Sequence, residues 1–179
     1  MFDFIKDIFR KRQLKKFASD LQTGFLPMEK IASASFVISV EEPEFDALQE
    51  DIMAWGRQCG IKTSIYFFDF RKIGKEELLL TSIQTTILKR ELDWIGTPEI
   101  SKVMSLLGEP SDLFVSLIDN GDFPIEFLGR CAKARFKMGR TEYSGHPYDM
   151  IISGNQTAEL RSDARKIFAA MTEFLKKIN

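Results

Sequence analysis

With 179 residues, 44% hydrophobic and 28% charged, the chain fits one ordinary globular domain. A net charge of −1 excludes a global electrostatic pull toward nucleic acid or membrane. Two cysteines make no disulfide framework, and the single histidine, His146, excludes multi-histidine metal sites.

Residues 1–19, MFDFIKDIFRKRQLKKFAS, read as a helix. Phe2, Phe4, Ile5, Ile8 and Phe9 gather on one side of a helical wheel, while Lys6, Arg10, Lys11, Arg12, Lys15 and Lys16 outnumber Asp3 and Asp7. One reading is a basic amphipathic helix for an anionic membrane surface or a partner protein. The weightier reading is a helix packed on its own domain or on a second copy, because Leu14 and Phe17 drift off the stripe. Residues 1–22 are therefore set apart as an N-terminal helical arm, and 23–179 are taken as a single α/β domain. Gly24 and Pro27 mark the connector.

Residues 35–40 are β-branched and aromatic, as a buried strand is. Pro43 suits a first helical turn, with Glu41, Glu42 and Glu44 at the positive end of the helix dipole. Phe45, Leu48, Ile52 and Trp55 form one apolar face, and Gly60 ends the helix. Residues 61–70 make a strand apolar on both faces, which belongs inside a parallel sheet. Together these elements form a βαβ unit, and the chain is organised around it.

Residues 71–74 are a turn, and 75–82 read equally as helical turns or a short strand. Residues 84–92 are strand-like. Thr97-Pro98-Glu99 opens a helix buried through Ile100, Val103, Met104 and Leu107, which stops at Gly108-Glu109-Pro110. Residues 112–118, DLFVSLI, are a strand. The turn 119–122 leads into a helix with Phe127, Leu128 and Cys131 inward. Residues 134–138 and 148–153 are the last strands. The loop 140–147 is too short for a parallel crossover, which makes them antiparallel neighbours. Residues 157–178 form a long helix with Leu160, Ala164, Ile167, Phe168, Met171, Phe174, Leu175 and Ile178 as its stripe. The expected fold is a three-layer α/β sandwich. It has a mostly parallel sheet of five or six strands, an antiparallel C-terminal strand pair and an extra N-terminal helix. Val37, Ile38, Ile65, Phe67, Phe114, Val115, Leu117 and Ile151 are expected to be nearly fully buried.

The basic N-terminal helix, ELDWIGTPE at 91–99, DLFVSLID at 112–119, AKARFKMGR at 132–140 and YDMII at 148–152 resemble a family of small bacterial α/β proteins of unknown function. The likeness spans nearly the whole chain. It implies a compact α/β domain and carries over no catalytic residues.

No G-x-G-x-x-G follows Val40, and the acidic segment there has the wrong sign for a pyrophosphate. Walker A and G-x-S-x-G motifs are absent. Ligands of open α/β sheets bind beyond the C-terminal strand ends, which here carry Asp69, Arg71, Lys72, Asp119, Asn120 and Asp122. These are candidate ligand residues; the competing reading makes them helix caps and turn formers. A second lead is the basic patch Arg130, Lys133, Arg135, Lys137 and Arg140, in which charged and apolar residues alternate. It is either a phosphate contact surface or, as the absence of interleaved stacking aromatics favours, an edge strand charged against aggregation. Trp94 and Tyr143 lie in loops, where exposed rings can mark interaction sites but more often cover a core edge. No metal and no cofactor is expected, nor a specific nucleic acid.

With no enzymatic motif, function is unassigned. The reading most consistent with the residues is a non-enzymatic cytoplasmic binding or interaction protein, with self-association or a protein partner through residues 1–19 and membrane contact as the lesser reading. The alternative is an enzyme or ligand binder for a phosphorylated or nucleotide-like small molecule at the strand ends.

Overall fold

The structure, a computed structural model, describes residues 2–72, 79–152 and 163–178. Six strands form one sheet: β1 (Ser33–Ser39), β2 (Lys62–Asp69), β3 (Thr86–Leu88), β4 (Ser111–Ser116), β5 (Ala134–Gly139) and β6 (Met150–Ile151). Their order is β3-β2-β1-β4-β5-β6, and every pair is parallel. This is the order of a doubly wound sheet, in which the chain builds outward from β1 on one side and then from β4 on the other. Among the described residues the α-helices are α1 (Phe2–Phe17), α2 (Phe45–Cys59), α3 (Ile100–Gly108), α4 (Phe123–Cys131) and α5 (Ala164–Leu175).

Two apolar layers sandwich the sheet. On one face α2 and α5 set Leu48, Ile52, Trp55, Ile167, Phe168 and Met171 over Phe36, Ile38, Leu113, Val115 and Phe136. Phe36, Trp55 and Phe168 meet edge to face at 5.8–6.0 Å, a geometry that adds to area burial. On the other face α3 and α4 cover Val37, Phe68 and Phe114, with Leu14 and Phe17 of α1 packed outside them. A sheet covered on both faces demands strands apolar on both faces, which is why β1, β2 and β4 read as near-continuous apolar runs. Val37, Ile38, Phe114 and Leu117 are fully buried, and Ile65, Phe67 and Val115 nearly so. Ile151 stays partly exposed, because β6 forms the sheet's edge.

The expected antiparallel C-terminal pair is overturned. β5 and β6 are parallel, with Met138 opposite Met150 and Gly139 opposite Ile151. A coil rather than a helix makes the crossover, turning at Gly145 (φ 94°) and His146 (φ 47°). Tyr143 and Tyr148 fill the space a crossover helix would occupy, and only two residue pairs need bridging. The edge-strand reading of the basic patch fails with it, since β5 has neighbours on both sides.

Other boundaries moved for local reasons. Pro43 lies in the turn before α2, whose N-cap is Glu44 in a left-handed conformation (φ 56°). Gly60 does end that helix, at φ 68°. Lys89–Glu91 leaves the strand as a 3₁₀ turn, because Glu91 folds back to accept from Leu88 N and Lys102 Nζ. α5 starts at Ala164, where the Asp163 carboxylate accepts from Arg165 N and Lys166 N. The expected helical segment 157–162 and the first half of the undecided segment 75–82 lie outside the described residues.

Candidate functional site

The strand order creates a switch point between β1 and β4, where the chain diverges to opposite sides and a crevice opens. Glu41, Glu42, Asp119, Asn120 and Arg140 line a cavity of about 460 Å³ there. The Arg140 side chain, 2% exposed, is its anchor. Nη1 donates to Glu42 Oε1 at 3.1 Å and to Leu117 O at 2.8 Å, and Nη2 lies 3.6 Å from Asp119 Oδ2. Burial raises the Glu42 carboxyl above the usual carboxylate range; Arg140 opposes the shift, while Asp119 and Asp163 reinforce it. Two acids around one guanidinium, with Glu41 beside them, make a crevice suited to hydroxyl or amine groups rather than phosphate.

A second cavity, of about 370 Å³, lies beyond β2 and β3, lined by Asp69, Arg71, Lys72, Leu88, Lys89 and Arg90. Asp69 is 1% exposed. Its carboxylate takes a bidentate bond from Arg71, Nε to Oδ1 at 2.8 Å and Nη2 to Oδ2 at 2.7 Å. That fork satisfies the buried charge and fixes the guanidinium at the rim.

The six strand-end candidates thus fall in two places rather than one. Asp69, Arg71 and Lys72 line the β2–β3 cavity; Asp119 and Asn120 line the switch-point crevice. Asn120 Oδ1 accepts from Asp122 N, and Asp119 Oδ1 accepts from Thr141 Oγ1. Asp122 is the N-cap residue of α4, with no side-chain cap bond. Among the described residues no group of three His, Cys, Asp or Glu is placed to hold a metal ion.

The basic patch is dispersed. Arg135 is solvent-facing and paired with Asp112 at 3.2 Å, Lys133 is half-buried, and Arg140 belongs to the crevice. Lys137, expected on a solvated face, is buried under the α4 side, where Nζ donates to Gly129 O at 3.0 Å. Tyr143 is a core-edge ring whose hydroxyl donates to Asn120 O at 2.7 Å.

The least anticipated feature is the orientation of α1. Its anchors are the residues that stray from the stripe. Leu14 and Phe17 pack inward, Phe17 meets Phe127 at 5.8 Å, and Arg10 Nε donates to Ile95 O while its guanidinium covers Phe123 at 4.7 Å. The stripe therefore points outward: Phe4 is 71% exposed, Ile5, Ile8 and Phe9 about 40% each, and Trp94 57%. Trp94 stands edge-on to Phe9 at 5.2 Å and extends the patch onto the body. Lys11, Arg12, Lys15 and Lys16 continue the same exposed face toward the C-terminal end of α1. Helical periodicity identifies the stripe, but Leu14, Phe17 and Arg10 show only in three dimensions.

Among the described residues no helix is long and apolar enough to cross a membrane. Residues 6–170 match the model of a family described as a family of unknown function (DUF6913). No curated protein and no solved structure matches the chain.

Proposed function

We propose, for a chain that belongs to this family of unknown function, a non-enzymatic cytoplasmic binding module that docks on an anionic membrane surface through the outward face of α1 and Trp94. The observation that carries this reading is the exposed run Phe4, Ile5, Ile8, Phe9 and Trp94, continued by Lys11, Arg12, Lys15 and Lys16. An apolar patch with a polybasic margin matches the acyl boundary and the anionic headgroups of one leaflet. Trp94 is the residue type that sits at that boundary, with an apolar body and a polar N–H.

Charge and area favour the membrane over a second copy. Six basic and two acidic residues give α1 a net charge of +4, and the whole chain carries −1. Pairing α1 with its copy sets +4 against +4. The five exposed side chains offer on the order of 500 Å² of apolar surface from ordinary side-chain areas, short of the ~800 Å² per partner of a stable interface. Two free cysteines and no disulfide suit a reducing cytoplasm. The turn after β1 carries Glu41, Glu42 and Glu44, opposite in sign to a phosphate-binding loop, which weighs against nucleotide chemistry there.

Sedimentation with vesicles tests the proposal. Vesicles of phosphatidylserine and phosphatidylcholine should bring the protein down, pure phosphatidylcholine should not, and Trp94→Ala or high salt should weaken binding. Equal recovery on neutral vesicles, or a dimer in light scattering that Ile8→Glu splits, would replace it with another partner. A second reading rests on the strand order: a small ligand held by its hydroxyl or amine groups between Glu42 and Asp119, in the switch-point crevice.

A further inference from the structure

A third cavity, of about 480 Å³, opens between α1, the C-terminal end of α4 and the loop before β6. Among the described residues four cations line it, Lys11 and Lys15 from α1, Arg130 from α4 and Lys137 from β5, and no acid does. Lys11, Lys15 and Lys137 make no ion pair among the described residues.

Lys137 is the telling member. It is 3% exposed, and Nζ donates to Gly129 O at 3.0 Å and Arg130 O at 3.4 Å. Those last-turn carbonyls of α4 account for two of its three N–H groups. The nearby acids are taken: Asp149 accepts from Lys137 N at 2.8 Å and Thr23 Oγ1 at 2.7 Å, and Glu126 accepts from Arg130 Nε at 2.8 Å. A buried ammonium with no carboxylate paired to it directly is costly: burial lowers its pKa to about 8, against the opposing pull of Cys131 and Asp149. Arg130 is set in place by Glu126 and Ser144 O, and Gly145, at φ 94°, gives it room: a Cβ there would lie 2.8 Å from the guanidinium nitrogens.

We propose that this cavity binds the phosphate group of a phosphorylated small molecule or of a lipid headgroup. A phosphate dianion supplies a direct counter-charge and acceptor oxygens for the three lysines and the arginine, where a single carboxylate supplies half the charge. The cavity has room for more than a bare ion, and Leu14, Leu21 and Pro147 give it an apolar wall for the rest of the ligand. Because Lys11 and Lys15 stand on α1 while Arg130 and Lys137 belong to the body, an occupant ties α1 to the domain.

Calorimetry of the full chain with inorganic pyrophosphate, without vesicles, is the direct test. One equivalent should bind, with a rise in melting temperature. Lys11→Gln with Lys15→Gln should weaken binding roughly a hundredfold, on the scale of two charge-assisted bonds, and leave the melting temperature of the free protein unchanged. Arg130→Gln should weaken it separately, and Lys176→Gln, remote from the cavity, should not. A protein that binds pyrophosphate has a soluble ligand class. One that ignores it but gains affinity for vesicles through a phosphorylated inositol headgroup, with the gain lost in Arg130→Gln, has a lipid one. No binding by either route, or binding that survives both the double variant and Arg130→Gln, would overturn the proposal. Docking on phosphatidylserine through Trp94 also draws on Lys11 and Lys15, so Arg130→Gln, which leaves the outward face of α1 intact, separates the two: it should spare phosphatidylserine docking and weaken the cavity.

Discussion

Tyr148 lies against Gly139 so closely that a Cβ on the glycine would sit 2.5 Å from two ring carbons. The same ring covers Gly129, where a Cβ would lie 2.7 Å from the hydroxyl oxygen. Tyr148 thus fills the place of a crossover helix between β5 and β6, and the two glycines are the bed it lies in.

Gly139→Ala should therefore destabilise the domain by about 1–3 kcal/mol, the usual cost of overpacking a core. Gly108→Ala is the control, since a Cβ there meets nothing within 4 Å. Urea melts that show equal midpoints for the two variants would mean the ring relocates freely.

Phe114 is fully buried in the central strand β4, against the stacked ring of Tyr148 at 6.5 Å. Phe114→Ala should cost about 3–5 kcal/mol in denaturant melts. Ile151→Ala, on the edge strand, should cost far less, since its side chain already meets solvent. A loss below about 1 kcal/mol for Phe114→Ala would remove it from the core.

Lys137 and Cys131 give stability opposite pH dependences. Burial holds the Lys137 pKa at about 8, against 10.5 unperturbed. Between those values the unfolded chain binds the extra proton, so stability rises with pH by up to about 1.4 kcal/mol per unit. Burial pushes the Cys131 thiol from 9.0 up to about 12. Its contribution is present below 9.0 and lost as pH rises to about 12. The buried phenols of Tyr143 and Tyr148, also raised, act in the same direction at still higher pH. Chemical denaturation should show stability rising from pH 8, levelling off from about pH 9 as the two slopes cancel, and falling above about pH 10 as the phenols join Cys131. Lys137→Met should abolish the rise; if the rise persists, Lys137 keeps its ordinary pKa.

The two thiols should also separate by reagent. Cys59 is exposed at the end of α2, and Cys131 is buried with its thiol held protonated. A disulfide reagent should titrate one thiol in the native protein and two in denaturant. Rapid reaction of both would mean α4 opens readily.

Much of the layered fold was legible because a parallel sheet covered on both sides imposes apolar runs, and β1, β2 and β4 carry them. The register and partner of β6 were not legible. A two-residue strand carries no period, and its parallel pairing depends on Tyr148 finding Gly129 and Gly139, a contact remote in sequence. The candidate sites were legible as residue types at strand ends, but not as groupings. Arg140 read as part of a basic strand, yet it sits at the switch point because β5 ends there beside β4. Lys137 read as solvated, since alternation on a strand says which face a residue takes but not whether a helix covers that face.

The last prediction separates the two sides of α1. Phe17 and Leu14 bind the helix to its own domain, whereas Ile8 and Phe4 face outward. An isolated helix of this length is marginal in water, so packing through Phe17 and Leu14 is what keeps α1 formed in the free protein. Phe17→Ala should lower the melting temperature and expose the α4 surface. Ile8→Glu should leave the melting temperature within error, since its side chain is 42% exposed, but should abolish binding to anionic vesicles. The arithmetic supports a sharp loss: a glutamate removes one apolar contact and adds a charge repelled by the leaflet, against an attraction of about 1 kcal/mol per basic residue. If Ile8→Glu unfolds the domain while Phe17→Ala is silent, α1 is turned about its axis relative to the packing described, and the outward face is the one carrying Leu14 and Phe17.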